Sequence, residues 1–182
     1  MRSDTDRRFD ELYEQHFRHI LAYCRRRIPE ADAYDAANEV FAIAWRRIED
    51  VPAGEAARPW LFVVARRVVF RSRRSTRRFR ALIGRAGSAG GSPQIDPESV
   101  VVQRAELDLV LQAASHLSRD DREVLDLAAW EGLPHREIAE VLGCSTDAVD
   151  QRLHRAKQRL TRHYQRLQRS GALPHAAGRE GP

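Results

Sequence analysis

At 182 residues the chain has room for one ordinary domain or two small ones. Its formal net charge of +5 and its pI of about 9.8 favour a polyanionic partner such as nucleic acid. No run approaches the roughly 18 apolar residues of a membrane span, and the first residues contain no apolar signal core, so we expect a cytoplasmic protein without membrane insertion.

Apolar residues recur at steps of three and four in three N-terminal segments, which is the pattern of amphipathic helices. The spacing predicts helices over 9–28, 31–48 and 58–80, with a loop at 49–58. The residues expected to face inward are Phe9, Leu12, Tyr13, Ile20, Leu21, Cys24 and Ile28, then Ala37, Val40, Phe41, Ala44, Trp45 and Ile48, then Trp60, Leu61, Val64, Ala65, Val68 and Val69.

The composition changes at 84–99, where glycine, serine and proline predict a flexible linker and a domain boundary. A further helix is expected from near Val100, and the next helix follows a capping-box-like pair, Ser118 and Asp121. The inward residues expected in these two helices are Leu107, Val110, Leu111, Ala114 and Leu117, then Val124, Leu125 and Ala128. No strand pattern occurs, so the sequence predicts an all-α protein of two small helical domains.

The stretch His135–His154 has the pattern of a helix-turn-helix. A short amphipathic segment ends at Gly143, a polar turn follows, and a second amphipathic segment begins near Thr146. Ala139 and Val149 are small or branched where the two helices would cross, and Gly143 suits a left-handed helix C-cap. Such a motif can place its second helix in the DNA major groove, although an ordinary helical hairpin is the alternative.

The outward face of this second helix carries side chains that can bind base edges. Gln and Arg can form paired hydrogen bonds with adenine and guanine, and Asp can accept one from cytosine. The residues on that face are Thr146, Asp147, Asp150, Gln151, His154 and Arg155. Phosphate contacts, which position a protein without reading sequence, are expected from Arg152, Lys157, Arg159 and Arg162. The alternative is a solvated helix face.

A second basic stripe places eight arginines within Arg66–Arg80, and no acid occurs between Ala56 and Gln94. Arginines can hold phosphates and aromatic rings can stack on unpaired bases, a combination typical of single-strand binding. The interleaved rings are Trp60, Phe62, Phe70 and Phe79. The alternative is that the rings belong to the core and the arginines only keep the protein soluble, but like charges four residues apart destabilise a helix.

Three carboxylates, Asp32, Asp35 and Glu39, share one face of the second predicted helix. A metal site is possible, but no Glu-x-x-His pair joins them, so a partner-binding face beside Phe41 and Trp45 is favoured over a metal site, and a plain solvated face remains. The two cysteines fit neither a disulfide framework nor a metal site. With no nucleophile triad or phosphate-binding glycine loop, we expect no catalytic residue, metal or cofactor.

Three blocks resemble regions two and four of bacterial RNA polymerase sigma factors. They are DAYDAANEVFAIAWRRI at 32–48, RPWLFVVARRVVFRSRRSTRR at 58–78 and LSRDDREVLDLAAWEGLPHREIAEVLGCSTDAVDQRLHRAKQRL at 117–160. Their order across a linker resembles the extracytoplasmic function (ECF) group of the sigma-70 family. The resemblance implies sigma region 2 over 1–83, a linker over 84–99, a winged-helix-like region 4 over 100–169 and a flexible tail over 170–182.

The resemblance implies a subunit that binds core RNA polymerase and directs promoter-specific transcription initiation through DNA binding and strand opening. The implied partners are the beta-prime clamp and the beta subunit of the core enzyme, promoter DNA in duplex and single-stranded form, and an anti-sigma factor. Polymerase contacts are implied for Asp35, Asn38, Glu39, Phe41, Ala42 and Trp45. Contacts to minus-ten DNA are implied for Trp60, Arg66, Arg67, Phe70, Arg71, Arg73 and Arg74. Contacts to the minus-thirty-five duplex are implied for Arg136, Thr146, Asp147, Asp150, Gln151, Arg152, His154, Arg155 and Arg159.

Four residues depart from the family pattern. Asn38 stands where the family usually has Gln, and Asp150 where a basic or small residue is common. Arg67 and Arg71 stand where Asn and Asp are usual. These departures concern the promoter sequence and the capture of the unpaired strand, and they leave the fold assignment intact.

Two other classes of function stay open at this point. A helix-turn-helix regulator could act as a dimer without core polymerase, for which it would need a self-association face. A small nucleic-acid-processing enzyme could use Asp32, Asp35 and Glu39 with a metal ion.

Overall fold

The computed structural model of the protein describes residues 4–83 and 100–170, with the side chains of 4–74 and 106–170. Every regular element within these residues is helical, which confirms the all-α class. The α-helices in chain order are α1 (Asp4–Arg25), α2 (Glu30–Arg46), α3 (Ala57–Ile83), α4 (Val100–Ser115), α5 (Arg119–Ala129), α6 (His135–Leu142) and α7 (Thr146–Arg169). In the described residues no helix is long and apolar enough to cross a membrane.

Prolines separate the N-terminal helices. Pro29 lies between α1 and α2. Because the residue before a proline avoids the helical conformation, Pro29 keeps α1 from continuing into α2. Pro59 lies in the first turn of α3, where its missing N–H costs nothing. The predicted loop at 49–58 contains two short 3-10 turns, Ile48–Asp50 and Gly54–Ala56.

The helices divide into two compact units by the proximity of their Cα atoms. One unit holds α1, α2, α3 and α6, and the other holds α4, α5 and α7. The domain boundaries expected from the sequence stay a prediction. The expected linker at 84–99 and the tail after Ser170 lie outside the described residues.

The core of the first unit forms where α1 packs against both α2 and α3. The ring of Tyr23 on α1 meets the ring of Phe62 on α3 edge to face, with the centroids 5.4 Å apart and both side chains fully buried. The aliphatic residues buried in the three helices include Leu12, Ile20, Leu21, Val40, Leu61, Val64, Val68 and Val69. Each such side chain contributes about 1.5–3 kcal/mol when it is removed from water.

In the second unit α4 and α5 both pack on α7. Leu109 and Ala113 are the α4 residues that are buried there, whereas Leu107, Val110 and Leu111 are between 38 and 45% exposed. The inward face predicted for α4 is therefore wrong at these three residues, whereas Leu117, just after the helix, is buried as expected. Apolar residues surround this helix, so their period does not select a face, and the side with the small Ala113 allows the closer approach to α7.

The start of α5 follows the predicted cap. The hydroxyl oxygen of Ser118 accepts a hydrogen bond of 3.1 Å from the backbone N–H of Asp121, which satisfies one of the free N–H groups at the helix start. This confirms the capping pair.

The turn after α6 also has the predicted form. Gly143 caps the helix in the left-handed conformation, with φ 66° and ψ 43°, and the backbone N–H of Cys144 donates to the carbonyl of Ala139 at 3.0 Å. Helix α7 begins at Thr146, so the turn has the expected length. The crossing of α6 and α7 stays a prediction.

Replacing Gly143 with alanine is expected to lower the free energy of unfolding by about 1–2 kcal/mol, because an L-residue resists the left-handed conformation. Apart from Gly143 itself and its neighbours along the chain, no described atom lies within 4 Å of the position that a Cβ would take, so the cost is conformational and not steric. Gly143→Asn is the matched control, since Asn tolerates this conformation. Urea unfolding of both variants measures the difference, and equal losses would contradict the role of the conformation.

Candidate nucleic-acid interface

The first half of α7 carries an exposed polar face opposite a buried apolar seam. The seam consists of Val149, Leu153 and Ala156, all at most 3% exposed. The exposed side chains are Thr146, Asp147, Asp150, Gln151, Arg152, His154 and Arg155. At about 3.6 residues per turn these positions cover the solvent side of one helix. Arg136, in the first turn of α6, is also exposed. Their contacts to DNA stay a prediction.

Short-range hydrogen bonds orient part of this face. The Nε of Arg155 donates to the carbonyl oxygen of Gln151 at 3.2 Å, and the Nε2 atoms of His154 and Gln158 lie 2.9 Å apart. Farther along α7, desolvation and then the neighbouring His116 lower the pKa of His163. His163 therefore adds no positive charge to the basic helix at neutral pH.

Arg159 differs from the other cations expected to contact phosphates. Its Nη1 forms an ion pair with the Oδ2 of Asp121 on α5, and Asp121 is 7% exposed. The sequence analysis used Asp121 only as part of a helix cap and missed this pair. A capping carboxylate offers no sequence signal for a partner 38 residues away.

The arginine face of α3 is present over the described side chains. Its exposed residues are Arg66, Arg67, Phe70, Arg71 and Arg74. The ring of Phe70 is 57% exposed among these cations, as stacking on an unpaired base would require. Arg73 is engaged otherwise, since its Nε donates to the carbonyl oxygen of Arg27 at 2.8 Å.

The other rings of α3 are less available. Phe62 was expected among the stacking rings, and this is wrong, because it is 1% exposed and packs against Tyr23 in the core. Trp60 is half-buried, with the guanidinium of Arg47 6.0 Å from its ring centroid. The side chain of Phe79 lies outside the described residues.

The expected polymerase face of α2 divides into exposed and buried residues. Asp35, Asn38, Ala42 and Trp45 are exposed, and Trp45, expected inward, is 42% exposed. Phe41 is only 2% exposed, so it supports this face from the core and does not present its ring to a partner. The period of the helix placed both rings inward, but Trp45 lies at the edge of the buried stripe.

Glu39 lies at the edge of the α2 face and forms an ion pair with Arg71 on α3. The pair joins a residue expected to contact polymerase to one expected to contact minus-ten DNA. In the described part of the chain no group of three or more His, Cys, Asp or Glu side chains is placed to hold a metal ion.

Aromatic rings form a continuous row along α1 and α2, which sequence analysis missed. Phe9, Tyr13 and Phe17 recur every four residues on α1, and rings from α2 close the row. Tyr13 and Phe17 stack with centroids 4.6 Å apart, and Phe9 meets Trp45 edge to face at 5.0 Å. Tyr13 is 36% exposed, so the α2 face continues onto α1.

These surfaces belong to an all-α protein that presents exposed basic faces on two of its helices. The family model for Sigma-70 region 2 matches residues 12–79, and the model for Sigma-70, region 4 matches residues 107–160.

Two relatives cover most of the chain. The RNA polymerase sigma factor NccH of Alcaligenes xylosoxydans is 32% identical over 161 residues, which are 84% of this chain and 84% of the relative. The ECF RNA polymerase sigma factor SigL of Mycobacterium tuberculosis is 34% identical over 162 residues, which are 86% of this chain and 88% of the relative. The chain belongs to the sigma-70 family of RNA polymerase sigma factors, in the ECF group.

Solved structures share the fold. The sigma factor RpoE of Bartonella quintana, solved with the anti-sigma factor NepR, has a TM-score of 0.68 over 86% of this chain and 96% of its own at 20% identity, a likeness of fold alone. CnrH, solved with the cytosolic domain of CnrY, has a TM-score of 0.56 over 85% of each chain at 29% identity.

Two phenylalanines of α3 test the division between core and surface. Phe62→Ala is expected to cost about 3–5 kcal/mol of unfolding free energy, because it empties a buried site. Phe70→Ala, on the exposed side of the same helix, should stay within about 0.5 kcal/mol. Chemical denaturation followed by circular dichroism gives both values, and a large loss for Phe70→Ala would place that ring in the core.

Proposed function

We propose that this sigma factor binds core RNA polymerase and directs promoter-specific transcription initiation through three surfaces, one each on α2, α3 and α7. The observation that carries the proposal is that both matched regions present an exposed basic face over a buried apolar seam. In region 2 that face is on α3, and in region 4 it is on α7. Such faces are suited to a polyanion.

The α7 face contacts the upstream promoter element as duplex DNA. Gln151 and Arg155 lie exposed on one side of the helix, where paired hydrogen bonds to adenine and guanine edges are possible. Arg152 and Lys157 are exposed beside them and contact phosphates. Arg136, near the start of α6, adds a further cation.

The α3 face holds the unpaired minus-ten strand. The exposed ring of Phe70 accepts a stacked base, and Arg66, Arg67 and Arg74 contact the backbone around it. Trp60 is half-buried and lies at the start of the same helix, where it supports the opened strand. Arg71 reaches the strand only when its pair with Glu39 opens.

The α2 face contacts the beta-prime clamp of core polymerase. Asp35, Asn38, Ala42 and Trp45 are its exposed residues. Phe41 fixes the face from below through edge contact with Tyr13, at 4.9 Å between centroids. The beta subunit is the second polymerase contact, and an anti-sigma factor is the regulatory partner. Because polymerase lies in the cytoplasm, we place the protein there.

A single added side chain tests the polymerase contact. Ala42→Arg places a bulky cation in the middle of the α2 face and should weaken co-purification with core polymerase at least about tenfold, or 1.4 kcal/mol. Ala53→Arg, exposed in the turn before α3, is the matched control and should bind as the unchanged protein does. Transcription from genomic fragments with purified core enzyme should fail for Ala42→Arg alone. Normal binding and transcription by Ala42→Arg would overturn the docking assignment.

The duplex contact is tested on α7. Gln151→Ala and Arg155→Ala should each cost about 1–3 kcal/mol on the correct upstream element and relax its specificity. Gln165→Ala, exposed farther along the same helix, is the control. Competition with random duplex separates the two contact types, because equal losses on random DNA would mean phosphate contacts only.

A dimeric regulator acting without polymerase is the second candidate. The apolar row of Leu107, Val110 and Leu111 on α4 is exposed and could pair with a second copy. The two candidates differ in one result, since the regulator would bind its site equally well without core polymerase and the sigma factor would not.

A further inference from the structure

One carboxylate of the second unit is buried, which is unusual for an aspartate. Asp121 is 7% exposed, and its Oδ2 accepts from the Nη1 of Arg159, whose own side chain stays 47% exposed. The pair crosses from α5 to α7, and these two helices pack along each other. It therefore joins the helix that carries the proposed duplex face to the helix behind it.

The position of Asp121 is fixed on its own helix. Its backbone N–H donates to the capping hydroxyl of Ser118, and its side chain lies in the first turn of α5, where a negative charge is favoured. A buried carboxylate that loses its cation is left desolvated and unpaired, which is strongly unfavourable. The ion pair is therefore expected to persist when α7 meets DNA.

We propose that Asp121 is a positioning residue that holds the guanidinium of Arg159 against α5 and away from the phosphates of duplex DNA. This inference rests on the proposed function of α7. Arg159 follows Arg152 by seven residues, about two helical turns, so both lie along the same edge of the helix. Arg152 is free to contact a phosphate at this edge, whereas the guanidinium of Arg159 is held by the carboxylate.

The consequence is a gain in specificity. Each phosphate contact adds affinity for any DNA sequence and raises the slope of log affinity against log salt by about 0.9. By withholding one cation from the backbone, Asp121 lowers sequence-independent binding and leaves the base-contacting residues in place. It also anchors α7 to α5, so that the exposed face of α7 keeps one orientation relative to α5.

Four variants of the full chain, assembled with core polymerase, test the proposal: Asp121→Asn, Arg159→Gln, the double variant, and Arg152→Gln as the matched phosphate-contact control. Affinity for a duplex carrying the upstream element and for a random duplex is measured between about 50 and 200 mM salt. Thermal unfolding of the four chains is measured alongside.

The proposal predicts different salt slopes. Arg152→Gln should reduce the slope by about 0.9, or about threefold in affinity across that salt range, and Arg159→Gln should not reduce it. Asp121→Asn should raise the slope by about 0.9, because it releases Arg159 to the backbone, and should bind random duplex more tightly. In thermal unfolding, the double variant should lose less than the sum of the two single losses.

A reduction of about 0.9 in the slope for Arg159→Gln would overturn the proposal, because Arg159 would then be a phosphate contact. So would additive losses in thermal unfolding, since the two residues would not interact. A merely structural pair would lower stability without raising the slope of Asp121→Asn, and that result also overturns it. If the unchanged holoenzyme prefers no duplex at all, the proposed function fails, and the unfolding comparison still decides whether the pair exists.

Discussion

The burial of one apolar face on each basic helix is the constraint on which both proposed nucleic-acid surfaces depend. Like charges four residues apart cost a helix about 0.2–0.5 kcal/mol per pair. Each buried Val or Leu in the seams of α3 and α7 contributes about 1.5–3 kcal/mol, so a few seam residues outweigh the repulsion. The seam of Val149, Leu153 and Ala156 also decides which residues of α7 face outward. The exposure of each basic face thus depends on ordinary core packing.

Charge along a helix overstates the cations available to DNA, because tertiary partners hold some of them. Arg159 is paired with Asp121, Arg71 with Glu39, and Arg73 with the backbone carbonyl of Arg27 in the turn after α1. The first two pairs differ in kind. Glu39 and Arg71 are both well exposed, so their pair contributes at most about 1 kcal/mol and opens easily. Asp121 is buried, so losing its partner costs more.

Features set by neighbouring residues could be predicted from the sequence, and features set by packing between helices could not. The Ser118 cap and the left-handed Gly143 follow from local chemistry and are present. Phe62 was expected at the surface because it lies among arginines, yet the position of α1 places it against Tyr23. On α4 the apolar pattern surrounds the helix, and only contact with α7 selects the buried side.

The pair between Glu39 and Arg71 changes the charge of the α2 face. A carboxylate in place of Arg71 would repel Glu39. The Arg instead neutralises Glu39 and ties α2 to α3, so the α2 face is less acidic than its sequence indicates. On that face Asp35 is exposed and Asp32 is half-buried, while the exposed Asn38, Ala42 and Trp45 are neutral. The proposed polymerase contact on α2 would therefore depend mainly on shape and on the rings of Trp45 and Tyr13, with a weak response to salt. The proposed duplex contact on α7, where cations outnumber acids beyond Asp150, would respond strongly.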